Sequence, residues 1–208
     1  LVSDPLSSDE LLHNSYVTAV GDMDGDGLDD IALGTRGTIY PYFECGGVYV
    51  AYASSINGVV DIEPDVHIFG DEEGYRIGYV HSAGDIDNDG LDDLLIGQES
   101  ETEIKSYIYN SNRFGIGSDG ALHADYTFDT TGERFSVLSD IDGDGRNDYL
   151  FHGSEHLYLV YGSQFPHYGN IDFSWSESAY TFENKGGPFG SFGNAGDING
   201  DGLNDIFL

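Results

Sequence analysis

The chain has 208 residues and carries 38 acidic against 7 basic side chains, a formal net charge of −31. Nucleic-acid binding through a basic surface is excluded, and an anionic membrane would repel the chain. No run of 18 apolar residues exists to cross a membrane by helix, and Cys45 is the sole cysteine, so no internal disulfide forms.

In chain order, residues 1–14 (LVSDPLSSDELLHN) have neither a basic start nor an apolar core. They do not read as a signal peptide, which leaves a mature chain or an excised piece. Tyr16-Val17-Thr18-Ala19-Val20 is a short β-favouring run. It leads into Gly21-Asp22-Met23-Asp24-Gly25-Asp26-Gly27-Leu28-Asp29-Asp30, with five carboxylates in nine residues, and Ile31-Ala32-Leu33 follows. An alternating segment comes next, Val48 to Tyr52, then a weaker one near Val66-His67-Ile68-Phe69.

The same order returns. Ile77-Gly78-Tyr79-Val80 precedes Gly84-Asp85-Ile86-Asp87-Asn88-Asp89-Gly90-Leu91-Asp92-Asp93, with Leu94-Leu95-Ile96, Ile104 to Tyr109 and Tyr126-Thr127-Phe128 behind it. Phe135-Ser136-Val137-Leu138 precedes Ser139-Asp140-Ile141-Asp142-Gly143-Asp144-Gly145-Arg146-Asn147-Asp148, then Tyr149-Leu150-Phe151, Leu157 to Tyr161 and Ala179 to Phe182. Phe189-Gly190-Ser191-Phe192 precedes Gly196-Asp197-Ile198-Asn199-Gly200-Asp201-Gly202-Leu203-Asn204-Asp205, and Ile206-Phe207-Leu208 ends the chain. The first acids fall at 22, 85, 140 and 197. That period is too long for a helical repeat of about 34 residues and nearer the ~40 to 50 of a four-stranded propeller blade. The spacing predicts an all-β protein with units over 14–70, 75–129, 133–183 and 188–208.

Each acidic loop fits D-x-[DN]-x-D-G-x-x-D. Carboxylates at positions 1, 3 and 5 converge if the chain curls, and glycine at position 6 permits the turn. Hard oxygen ligands on a flexible loop select Ca²⁺; Mg²⁺ demands a tighter octahedron, and Zn²⁺ has no Cys or His here. An isolated acidic turn can be a solvated loop, but four copies in register argue for a metal. An EF-hand needs Glu at position 12 and flanking helices, whereas position 12 is Leu33, Ile96, Phe151 or Leu208 inside strand patterns.

These loops, with Phe189-Gly190, Ala195-Gly196-Asp197, Ile77-Gly78 and Ala83-Gly84-Asp85, resemble the FG-GAP repeats of integrin α-subunit β-propellers and their bacterial relatives. The first and third copies lack Phe-Gly, and Ser139 replaces glycine in the third. The resemblance implies four-stranded antiparallel blades, about three and a half in this chain, with a calcium loop between the first two strands of each. Carried over, the side-chain ligands are Asp22, Asp24, Asp26 and Asp30; Asp85, Asp87, Asp89 and Asp93; Asp140, Asp142, Asp144 and Asp148; and Asp197, Asn199, Asp201 and Asp205. Leu28, Leu91, Arg146 and Leu203 would offer backbone oxygen. Up to four calcium ions would leave a net charge of −23.

The resulting expectation is a secreted or cell-surface propeller module for adhesion or ligand binding, with a protein or glycan partner. A carbohydrate-active enzyme (polysaccharide lyase or hydrolase) or a lectin on the same scaffold is the alternative, and no catalytic residue is assigned. Leu208 falls in the second strand of the fourth unit. The rest of a longer propeller chain is therefore expected, with another subunit, or four-bladed closure using residues 1–13, as the other routes. Two motifs are discounted: His152-Gly153-Ser154-Glu155-His156 reads as a hairpin turn, and Gly115-Ile116-Gly117-Ser118-Asp119-Gly120 as a hairpin loop. Trp175, Tyr40, Tyr42 and Phe43 are read as packing.

Overall fold

The computed structural model describes residues 15–37, 45–56, 64–70, 73–74, 76–100, 104–113, 118–121, 124–129, 135–152, 156–165, 180–183 and 190–208. Among them there are β-strands and short 3-10 turns but no α-helix. The first sheet contains β1 (Ser15–Gly21), β2 (Asp30–Thr35), β3 (Gly47–Ala51) and β4 (Val66–Phe69), paired antiparallel in that order. The second runs β5 (Arg76–Gly84), β6 (Asp93–Glu99), β7 (Ile104–Tyr109) and β9 (Tyr126–Asp129). The third runs β10 (Phe135–Ser139), β11 (Asp148–His152), β12 (His156–Val160) and β13 (Tyr180–Glu183), and β14 (Gly193–Gly196) pairs with β15 (Asp205–Phe207). Several antiparallel sheets in series are consistent with propeller blades.

The sheets stack on one another through their faces. Val20, Ala32, Val48 and Val50 of the first sheet pack with Ile77, Val80, Leu94 and Ile96 of the second. Leu95 and Ile108 point the other way, onto Tyr149, Phe151 and Val160 of the third sheet. Leu150, Leu157 and Leu159 then pack toward Phe192 and Ile206. β6 has cover on both faces, which explains why Leu94-Leu95-Ile96 reads as an unbroken apolar run. β2 has cover on one face, so Ile31 is exposed while Ala32 is buried.

Every acidic loop joins the first two strands of its sheet, and a register shift precedes each one, at Gly21, Gly84, Ser139 and Gly196. These residues have φ of +80°, +69°, +59° and +70°. A bulge of this kind turns the strand end toward the loop, and it favours glycine. Ser139 is the one non-glycine among them, which agrees with its place as the departure from the repeat pattern.

Two expectations change. The segment 190–192 is not strand; β14 begins at Gly193, opposite Phe207, where its partner β15 offers a ladder. The glycine-rich stretch read as a hairpin loop instead contributes β8 (Ser118–Ala121), which pairs parallel with β4 of the first sheet. The unmet hydrogen bonds along the β4 edge, invisible to a local sequence pattern, recruit it. His152 ends β11 and lies opposite Leu157, while His156 opens β12, so the two imidazoles share no helix face. Gly115, Trp175, Tyr40, Tyr42 and Phe43 lie outside the described residues.

Candidate metal centre

The acidic loops are curled by their own aspartates. Asp22 Oδ1 accepts the N–H groups of Gly25 (2.7 Å) and Asp26 (3.1 Å), and its Oδ2 accepts that of Gly27 (2.9 Å). Asp140 repeats the pattern with Gly143, Asp144 and Gly145, and Asp197 with Gly200, Asp201 and Gly202. Asp85 accepts from Asp89 and Gly90. Asparagine and aspartate side chains take this local bond readily, and glycine follows where φ turns positive. The glycines at position 6 (Gly27, Gly90, Gly145 and Gly202) have φ between +85° and +94°.

Position 9 does something that spacing did not reveal. Asp30 Oδ2 accepts the Met23 N–H (2.9 Å), and its Oδ1 accepts the Ala53 N–H (2.9 Å). Asp93 joins Ile86 to Ser111 in the same way, and Asp148 joins Ile141 to Gly162. The three carboxylates are fully buried. Each ties its loop to the 3-10 turn that ends the third strand of the same sheet: Ala53–Ser55, Ser111–Arg113 and Gly162–Gln164. A recurring small residue followed by Ser or Asn (Ala53-Ser54, Ser111-Asn112, Gly162-Ser163) was the available signal.

The result is three carboxylate trios. One oxygen from each of Asp22, Asp24 and Asp30 lies within 4.8 Å of the others; Asp85, Asp87 and Asp93 form the second trio, and Asp140, Asp142 and Asp148 the third. All donors are hard oxygens, which suits a group 2 cation. Asp26, Asp89 and Asp144, at position 5, stand beside the trios, with Oδ1 accepting the N–H of Leu28, Leu91 and Arg146 at 2.8–2.9 Å. Asp201 does the same for Leu203. In the fourth loop Asn199 holds position 3, and its Nδ2 faces Asp205 Oδ1 at 3.4 Å.

Neighbouring loops are linked. Asp22 N–H donates to Asp92 Oδ2 (3.0 Å), and Asp92 N–H returns a bond to the Asp22 carbonyl (2.9 Å). Asn147 occupies the matching place in the third unit, against Gly84. Sequence reasoning passed over both position 8 residues, although the Asp or Asn recurs at 29, 92, 147 and 204. The Leu91 side chain also reaches over Gly25.

Crowded carboxylates without a cation hold protons more tightly. Burial pushes Asp93 up to about 7, against the lowering effect of the Ser111 and Ile86 N–H bonds. Burial raises Asp30, Asp148, Asp87 and Asp92 as well, and nearby aspartate charges add to it. An unfolded aspartate titrates near 3.9. Between that value and about 7 the folded, cation-free protein therefore binds more protons than the unfolded chain, and its stability falls as pH rises. The contribution is complete below the unfolded value and is lost as pH passes the folded one. Cation-stripped protein should thus melt several degrees higher at pH 5.5 than at pH 8 in scanning calorimetry. With calcium saturating, the order should reverse, because the ion requires ionised carboxylates. A stripped protein that gains stability toward pH 8 would contradict this account of the trios.

No family model matches the chain. Curated proteins do. Integrin alpha pat-2 of Caenorhabditis briggsae is 24% identical over 176 residues, covering 72% of this chain and 14% of that protein. Integrin alpha-4 of Xenopus laevis is 34% identical over 138 residues, 61% of this chain and 13% of that protein. Phosphatidylinositol-glycan-specific phospholipase D of Mus musculus is 29% identical over 149 residues, 65% of this chain and 18% of that protein. The stacked sheets and looped aspartates define a β-repeat protein, and the integrin α likeness supports an integrin α-like propeller with FG-GAP repeats. The chain spans less than a fifth of the length of these relatives.

Proposed function

We propose that the chain is a calcium-stabilised β-propeller module that works outside the cell in adhesion or ligand binding. The observation that carries the reading is the threefold recurrence of one aspartate trio, built by the same bonds at matching places in three sheets. Calcium takes six to eight oxygens at about 2.3–2.6 Å and tolerates irregular shells, which a flexible loop of carboxylates supplies. Asp22, Asp24, Asp26 and Asp30, with the Leu28 carbonyl, would hold the first ion. The register equivalents hold the second and third: Asp85, Asp87, Asp89, Asp93 and Leu91; Asp140, Asp142, Asp144, Asp148 and Arg146. Asp197, Asn199, Asp201, Asp205 and the Leu203 carbonyl would take a fourth, more weakly, with one charge fewer. The units 14–70, 75–129, 133–183 and 188–208 are the proposed blades.

The calcium role is structural, since metal binding energy is also folding energy. Sites of this kind in extracellular modules bind at about 10⁻⁴ to 10⁻³ M, which fits an external medium. Relatives named as both integrins and a phospholipase are consistent with the repeat serving as a scaffold, with the ligand-reading surface set elsewhere. Calorimetric titration of stripped protein with calcium tests the reading. Three or four ions should bind in that range, with magnesium weaker; no calcium heat up to 10 mM would overturn it.

A further inference from the structure

Resting on the calcium reading, we infer that Asn110 is an additional oxygen ligand of the second site, an amide at a position that the first and third sites fill with tyrosine. Asn110 directly follows β7 and is fully buried. Its N–H donates to Asp125 Oδ2 (2.9 Å), which fixes the backbone. Its Nδ2 donates to Asp87 Oδ2 (2.7 Å), and Asp87 belongs to the second trio. The remaining atom of that amide, Oδ1, is buried without a hydrogen-bond partner. An orphaned buried carbonyl is costly and uncommon in a native fold, and it calls for a partner. This one belongs to a group already turned to the trio.

A half-turn of the amide brings Oδ1 to the side where Nδ2 now meets Asp87. A cation among Asp85, Asp87 and Asp93 replaces the amide hydrogen as the partner of Asp87 and supplies the missing partner of Oδ1; its attraction for that oxygen must outweigh the loss of the Nδ2 bond to Asp87. Asn112 keeps a donor on Asp87, because its Nδ2 lies 3.3 Å from Asp87 Oδ2 and 2.6 Å from Asp89 Oδ2. The matching position in the first sheet is Tyr52, whose N–H donates to Asp65 Oδ2 as Asn110 does to Asp125. In the third it is Tyr161, the residue before the turn at Gly162–Gln164. The second site therefore has an amide oxygen where its neighbours have only phenols, Tyr52 near Asp30 and Asp24 and Tyr161 near Asp142 and Asp148, and a neutral phenol is a much weaker calcium ligand than an amide carbonyl. A larger shell favours calcium over magnesium, so this site fills first and discriminates best.

The test is calorimetric titration of the full chain with calcium and with magnesium, for wild type, Asn110→Ala and Asn110→Asp, together with melting of each stripped protein. Asn110→Ala should weaken the tightest calcium site about tenfold and change magnesium binding little, while the stripped protein melts a few degrees lower through loss of the Asp87 bond. Asn110→Asp, which keeps an oxygen, should restore calcium affinity. Wild-type calcium binding with an unchanged Asn110→Ala isotherm overturns the assignment alone. So does equal weakening of both metals, the mark of a packing residue. Absence of calcium binding in wild type overturns the calcium reading and this assignment with it.

Discussion

Excess chelator should lower the melting temperature by ten degrees or more. Each trio brings three carboxylate oxygens within 4.8 Å of one another, and like charges so close oppose the folded loop. A ligand that binds only the folded state stabilises it by about 2.7 kcal/mol per site at a hundredfold excess over Kd. At 10 mM calcium a Kd of about 10⁻⁴ to 10⁻³ M means a ten- to hundredfold excess, so three such sites give roughly 4–8 kcal/mol, and for a chain of this size each kcal/mol moves the melting temperature by about 2–4 °C. The expected fall is about 10–30 °C in scanning calorimetry, between 10 mM calcium and excess EDTA at pH 7.5. Superimposable melting curves would mean that the aspartates hold nothing that matters to the fold.

The second large effect comes from position 9. Asp148→Ala removes the acceptor of two N–H groups, the part-buried one of Ile141 and the buried one of Gly162. Hydrogen bonds to a charged group contribute about 1.5–3 kcal/mol each. Relief of the buried charge offsets part of that, which leaves a loss of about 3 kcal/mol in calcium, measured by urea unfolding. Asp148→Asn should lose nearly as much despite its matching shape, because one end of the amide then presents N–H to N–H. Asp144→Ala, at the exposed position 5, should lose about 1 kcal/mol when measured in chelator, having one backbone bond to Arg146. A variant Asp148→Ala within 1 kcal/mol of wild type would show that the loop and the third strand stand without the bridge.

The difference between positions 5 and 9 marks how far the sequence could be read. The strands beside each loop were legible because their apolar runs are short and β-branched or aromatic, and the acidic pattern placed the loops between them. The curl of each loop was legible too, since glycine at position 6 and the aspartate at position 1 act within a few residues. What stayed hidden depends on residues distant in sequence. Asp30 reaches Ala53, and Asp22 meets Asp92 across a sheet boundary. No local period encodes either contact. The pairing of β8 with β4 is of the same kind, an edge satisfied from another unit. Asn110 is an intermediate case: a polar residue where the other two sheets carry Tyr52 and Tyr161 stands out only once the strands are aligned.

The central claim is that these aspartates surround a divalent ion and that the ion sets the loops. Diffraction from crystals grown in millimolar calcium tests it most directly. The account predicts strong density at the centres of Asp22–Asp24–Asp30, Asp85–Asp87–Asp93 and Asp140–Asp142–Asp148, with oxygens at about 2.3–2.6 Å. Carboxylates turned out to water around empty centres, under those conditions, would contradict it.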